Sequence, residues 1–163
     1  MSQSLKILKA LTDVTRLRLV ALLSREELSV NELREVTELG QSRISTHLGV
    51  LQDNGLLTFR KDGKRSLYRI NPETTRQARE CLKLARQIAS EGVEHEQDGR
   101  NLKRVIEQRS EQAQVYFNQV AGRFDQKYGP GRSWQAFGQL LLQLVPPLDI
   151  ADLGSGEGLV GEL

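Results

Sequence analysis

The chain has 163 residues, 38% of them apolar and 27% charged, with a net charge of +2 and one cysteine. That bounds it to one ordinary domain, or a small domain with an appendage, of globular composition. A lone Cys81 excludes an intrachain disulfide and suits a reducing cytoplasm; no apolar run approaches the roughly 18 residues of a membrane span, and the N-terminus lacks a signal-peptide pattern.

Leu5, Ile7, Leu8 and Leu11 predict a short first helix. Asp13 follows as an N-cap, with Leu17, Val20, Ala21 and Leu23 as a helical stripe flanked by Leu19 and Leu22. Ser29-Val30-Asn31-Glu32 is a capping box that opens a helix carrying Leu33, Val36 and Leu39, with Gly40 as its end. Ile44, Leu48 and Leu51, at spacings of four and three, make one apolar stripe on a helix from Gln41 to Asp53, and Gly55 suits the left-handed residue past its end. A hairpin comes next. Leu57 and Phe59 alternate with Thr58 and Arg60, Asp62-Gly63 is a turn dipeptide, and Tyr68 and Ile70 alternate with Leu67 and Arg69. Asn71-Pro72 predicts the cap and first residue of a helix with Ala78, Cys81, Leu82, Ala85 and Ile88 on one face. The polar stretch from Glu91 to Asn101 reads as a linker. A long helix is expected over 102–128, on Leu102, Ile106, Ala113, Phe117, Val120 and Phe124. Gly129-Pro130-Gly131 breaks it, Trp134 to Val145 forms a further helix, and Leu148 to Leu153 a buried strand.

Charge is distributed unevenly. Between Gln41 and Ile70 six basic residues (Arg43, Arg60, Lys61, Lys64, Arg65, Arg69) face two acidic ones (Asp53, Asp62), a net +4 that leaves −2 for the rest. A local basic patch is what a phosphate-binding face needs. With Ile44 inward, Ser42, Thr46 and Gly49 project outward, flanked by Gln41, Arg43 and His47. A short polar face of that kind enters a major groove, where Arg43 could pair with guanine and Gln41 with adenine. The candidate contacts to double-stranded DNA are therefore Gln41, Ser42, Arg43, Ser45, Thr46 and His47 on the helix, with Arg60, Lys61, Lys64 and Arg65 on the hairpin. Four helices, a basic hairpin and a fifth helix are the order of a winged helix-turn-helix, mainly helical with one small β-hairpin.

These residues resemble the ArsR family of transcriptional repressors over about residues 4–90. The resemblance lies in Leu11-Thr12-Asp13-Val14-Thr15-Arg16-Leu17-Arg18-Leu19, in Glu27-Leu28-Ser29-Val30-Asn31-Glu32-Leu33, and in Gln41-Ser42-Arg43-Ile44-Ser45-Thr46-His47-Leu48 with Leu51 and Asn54-Gly55-Leu56. It implies a DNA-binding repressor that dimerises through its first and last helices, and the apolar face from Ala78 to Ile88 agrees. Three departures stand out. Val14 replaces the usual proline, Gly49 stands where a lysine is common, and Ser29 and Asn31 occupy the positions of the metal-sensing cysteines. Neither is a soft ligand, and the last helix of the domain holds no histidine, so neither family metal site is expected.

Asp149 to Gly158 is an apolar strand running into a glycine-rich turn. With Tyr116-Phe117, Phe124-Asp125 and Tyr128-Gly129-Pro130-Gly131 it resembles the start of class I S-adenosylmethionine-dependent methyltransferases fused behind an ArsR-like domain. Asp152, Gly154 and Gly156 match that family's first cofactor motif. One strand cannot make a doubly wound sheet, so an incomplete Rossmann-like start and no catalysis are expected of these 163 residues; S-adenosylmethionine belongs to a fuller form, of which this is a truncated piece or shortened product. The expected domains are 1–90 (winged helix), 91–131 (linker and long helix) and 132–163 (methyltransferase start). His47 and His95 lie far apart in sequence and on different segments, in no carboxylate or thiol pattern, which makes His47 a DNA contact rather than a metal ligand, and Cys81 is a packed small hydrophobe. The expected protein is a cytoplasmic homodimeric repressor without resident cofactor or metal.

Overall fold

The computed structural model describes residues 2–128, with side-chain surroundings through residue 119. In chain order the elements are α1 (Gln3–Leu11), α2 (Val14–Leu23), β1 (Leu28–Ser29), α3 (Val30–Thr37), α4 (Gln41–Asp53), β2 (Leu57–Asp62), β3 (Arg65–Ile70), α5 (Arg76–Ser90) and α6 (His95–Tyr128). The strands form one antiparallel sheet in the order β1-β3-β2. Residues up to Gln108 make one compact unit; α6 continues into a second, of which the helix alone is described.

Local chemistry explains most helix ends. Ser2 and Asp13 accept from the backbone N–H groups of Leu5 and Arg16, at 3.4 and 3.0 Å, and so cap α1 and α2. The capping box of α3 is complete: Ser29 Oγ accepts from Glu32 N–H at 3.3 Å, and Glu32 Oε2 accepts from Ser29 N–H at 2.7 Å. Gly55, at φ +72, provides the left-handed residue that lets the chain leave α4 and enter β2. The core is one cluster in which Leu19, Leu28, Leu33, Ile44, Leu48, Leu51, Leu56 and Leu102 are almost fully buried. α2 faces it with Thr15, Leu19, Val20, Leu22 and Leu23, so the stripe expected on Leu17 and Ala21 is turned toward Leu19; Leu17 is only partly buried.

Five expectations need correction. The left-handed end of α3 is Glu38, at φ 58, whose N–H reaches Arg34 O at 2.9 Å; Gly40 is extended and serves as the N-cap of α4. β1 was not foreseen, because two residues are too few to show alternation. The hairpin loop is Gly63-Lys64, one residue later than the Asp62-Gly63 dipeptide, since Asp62 still pairs with Arg65. Thr75, not Asn71, caps α5, accepting from Ala78 N–H at 3.2 Å. Asn71 is committed elsewhere: its amide donates to Gly55 O at 3.1 Å and its oxygen accepts from Glu73 N–H. Finally, α6 begins at His95, inside the expected linker.

The polar residues that made this stretch read as a linker are held by partners far away in sequence. Asp98 takes Arg18 in a two-pronged pair, with Nη2–Oδ1 at 2.7 Å and Nε–Oδ2 at 2.8 Å. Asn101 donates its amide to Val36 O at 2.9 Å, and Arg18 Nη2 donates to Thr37 O at 3.0 Å. A helix leaves its last four carbonyls without partners inside itself; in α3, Val36 finds its partner on α6 and Thr37 on α2. Asp98 also holds the Arg18 guanidinium proton more tightly than usual, against the opposing effect of burial. In the expected stripe of α6, Leu102 is buried and Ile106 partly buried, whereas Ala113 and Phe117 are exposed.

The predicted residues from 129 onward, including Trp134 to Val145, the strand to Leu153 and the motif Asp152, Gly154 and Gly156, lie outside the described residues, as do the surroundings of Val120 and Phe124.

Candidate nucleic-acid interface

α4 has two distinct faces because its apolar residues recur at helical spacing. Ile44, Leu48 and Leu51 are buried, while Gln41, Ser42, Arg43, Ser45 and Thr46 are exposed. No side chain caps its start, since Gly40 has none to offer. The first-turn N–H groups are therefore open, and the helix dipole adds partial positive charge there. Thr46 Oγ1 donates to Ser42 O at 3.0 Å, which leaves its lone pairs to accept. At Gly49, where the family resemblance places a lysine, a Cβ would meet nothing within 4 Å, so this part of the face is open space.

Two of the predicted contact residues are tied to α2. Arg43 Nη2 donates to Thr15 Oγ1 at 2.9 Å. His47 is half-buried, its Nδ1 lying 3.4 Å from Arg16 Nη1 and 3.6 Å from Asp13 Oδ1. A carboxylate thus does stand beside His47, although 34 positions away in sequence it gave no local signal. Burial works to raise the Asp13 pKa, but the Arg16 N–H, the Arg16 guanidinium and His47 outweigh it and hold the carboxyl below its ordinary value. Arg16 also donates to the Lys9 and Ala10 carbonyls at the end of α1.

The hairpin divides its cations. Arg60 Nε and Arg69 Nη1 share the Glu27 carboxylate, at 2.6 and 3.1 Å, and Arg60 foremost holds Glu27 below the usual carboxylate range. Lys61 Nζ lies 5.8 Å above the Phe59 ring and donates to Ser66 Oγ at 3.1 Å. Phe59 in turn packs on Tyr68, with ring centroids 5.7 Å apart. Lys64 and Arg65, at the tip, are exposed and make no ion pair among the described residues. Thr15, Asp13, Arg16 and Glu27 were not foreseen as parts of this surface, and only Asp13, as a helix cap, carried any sequence signal.

Residues 13–58 match the family model of bacterial regulatory proteins, arsR family. The Escherichia coli arsenical resistance operon repressor is 37% identical over 91 residues, which cover 55% of this chain and 78% of that one. The chain belongs to the arsR family. The arsenic resistance transcriptional regulator ArsR1 of Pseudomonas putida is 44% identical over 68 residues, 41% of this chain, which spans about half (53%) of that relative. The transcriptional activator HlyU of Vibrio cholerae is 36% identical over 70 residues, 43% of this chain and 65% of that one. The solved structure of its reduced form superposes with a TM-score of 0.47 over 53% of this chain and 87% of its own.

In this ArsR-family chain the positions compared above with metal-sensing cysteines have other tasks. Ser29 is buried and donates its hydroxyl to Glu32 at 2.8 Å, and Asn31 is exposed. No group of three His, Cys, Asp or Glu side chains suited to a metal forms among the described residues. No helix among them is long and apolar enough to cross a membrane.

Proposed function

We propose that this chain is a sequence-specific DNA-binding transcriptional regulator that works as a homodimer and represses by occluding a promoter. One observation carries the reading: an exposed, uncapped first turn of α4 bearing Gln41, Ser42 and Arg43 on a spine of buried Ile44, Leu48 and Leu51. The helix reads base edges, and the hairpin tip at Lys64 and Arg65 meets the phosphate backbone. Its relatives, among them a resistance-operon repressor and a transcriptional activator, support regulation of transcription. The test is a mobility-shift titration against the gene's own upstream duplex at two salt concentrations. Lys64→Ala is expected to weaken operator and scrambled duplex alike and to lower the salt slope by about one. Equal binding of operator and scrambled duplex by the parent protein would remove the claim of sequence specificity.

The dimer reading rests on apolar side chains left uncovered. The buried face of α5, Ala78, Leu82, Ala85 and Ala89, packs within its own subunit. A second stripe stays open, with Leu84 at 51% and Ile88 at 46% exposure beside half-buried Cys81, and Leu5 and Leu8 of the adjoining α1 are likewise about half exposed. A two-fold contact through α1 and α5 would cover them and set two recognition helices on half-sites about 34 Å apart. Ile88→Glu is expected to yield a monomer by sedimentation and to weaken operator binding more than tenfold, since a charge would enter the apolar contact. A dimer that survives both Ile88→Glu and Leu84→Glu would place the contact elsewhere.

Repression at DNA puts the protein in the cytoplasm, and release from DNA calls for an effector. S-adenosylmethionine or its demethylated product is the candidate, by the resemblance at Asp152, Gly154 and Gly156. In a longer form that motif would serve a methyltransferase domain governed by the winged helix. Micromolar binding of S-adenosylmethionine in calorimetry of a form that carries the complete sheet would support the ligand assignment, and no measurable heat would end it.

A further inference from the structure

Arg43 and His47 stand four residues apart, on one face of α4. Both are held by the first turn of α2. Thr15 Oγ1 accepts from Arg43 Nη2 at 2.9 Å, and Asp13 and Arg16 flank the His47 ring. Thr15 itself is only 3% exposed, so it reaches no duplex directly; its hydroxyl meets the interface through Arg43. A free arginine samples many rotamers and loses them on binding. Arg43 is tethered by one of its five N–H donors, which leaves enough for a two-pronged bond to a guanine edge.

We infer that Thr15 is a positioning residue for sequence reading: from inside the protein, its hydroxyl fixes the Arg43 guanidinium before DNA arrives. This rests on the DNA-binding reading above and adds to it a residue that touches no nucleic acid. Its removal raises the ordering cost of one long side chain at the interface, which acts on the specific complex, where Arg43 must hold a single geometry. Loose non-specific complexes, held by phosphates, do not require that geometry.

Thr15→Val keeps shape and burial and removes the hydroxyl. By fluorescence anisotropy it is expected to lose about threefold to tenfold on the operator, corresponding to one newly mobile side chain. The expected change on a scrambled duplex is under twofold, with an unaltered salt slope. Thr15→Ser, which keeps the hydroxyl, restores operator binding. In an Arg43→Ala background Thr15→Val has no further effect, because nothing remains to be positioned. Thr15→Ala, smaller and equally without a hydroxyl, takes the place of the valine variant if a thermal melt shows the latter unfolded. Operator binding by Thr15→Val that is equal to or tighter than the parent's overturns the inference. So does a loss that persists in the Arg43→Ala background, since Thr15 would then act through the fold. If Arg43→Ala alone changes nothing on either duplex, the interface reading fails, and this inference with it.

Discussion

Asp98→Ala is expected to cost about 3–5 kcal/mol of folding stability, the range found when one partner of a buried ion pair is removed. The side chains of Arg18 and Asp98 are only 15% and 8% exposed, and their two contacts are short and parallel. Without Asp98 the guanidinium keeps the Thr37 carbonyl but loses the carboxylate bonded to it, leaving Glu94 and Glu38 to act on it through space, and solvent reaches it poorly. For a unit of about 100 residues each kcal/mol moves the melting temperature by about 4–8 °C, so the change is large by thermal denaturation. Glu96→Ala is the control. Glu96 meets Arg100 at 3.6 Å with both side chains well exposed, and its loss is expected to stay within about 0.5 kcal/mol. Equal melting of the two variants would mean that the start of α6 is not part of the DNA-binding unit.

Arg43→Ala is expected to remove about 1–3 kcal/mol of discrimination at one base pair, a loss of roughly fivefold to 150-fold on the operator. The side chain lies in the first turn of α4, beside open backbone N–H groups, and is exposed apart from its tether to Thr15. A scrambled duplex loses only the share of one screened charge. Anisotropy titrations of both duplexes at one salt concentration give the ratio that matters. A fall confined to the operator identifies a base contact. Equal falls identify a phosphate contact, and no fall on either would move recognition away from this helix.

The span of α4 was legible, because Ile44, Leu48 and Leu51 repeat at helical spacing and Gly55 marks the exit. The capping box was legible because its partners sit three residues apart. Choices between neighbours were harder. Asn71 and Thr75 are both good caps, and what decides is that Asn71 is already bonded to the Gly55 carbonyl across the fold. Least legible were polar residues whose partners are distant in sequence. Asp98 lies 80 residues from Arg18, and Asn101 lies 65 from Val36. In sequence they resemble solvated linker residues; in the folded chain they hold the end of α3. The candidate site divides in the same way. The exposed face of α4 follows from periodicity, but the grip of α2 on Arg43 and His47 is a tertiary fact with no repeat or motif behind it.

Glu27 has a consequence for how the hairpin meets a duplex. With Arg60 and Arg69 fastened to one carboxylate from the segment before β1, neither strand swings as a loose arm. Its direction is settled in advance, and the freedom that docking must remove is confined to the few residues around Gly63.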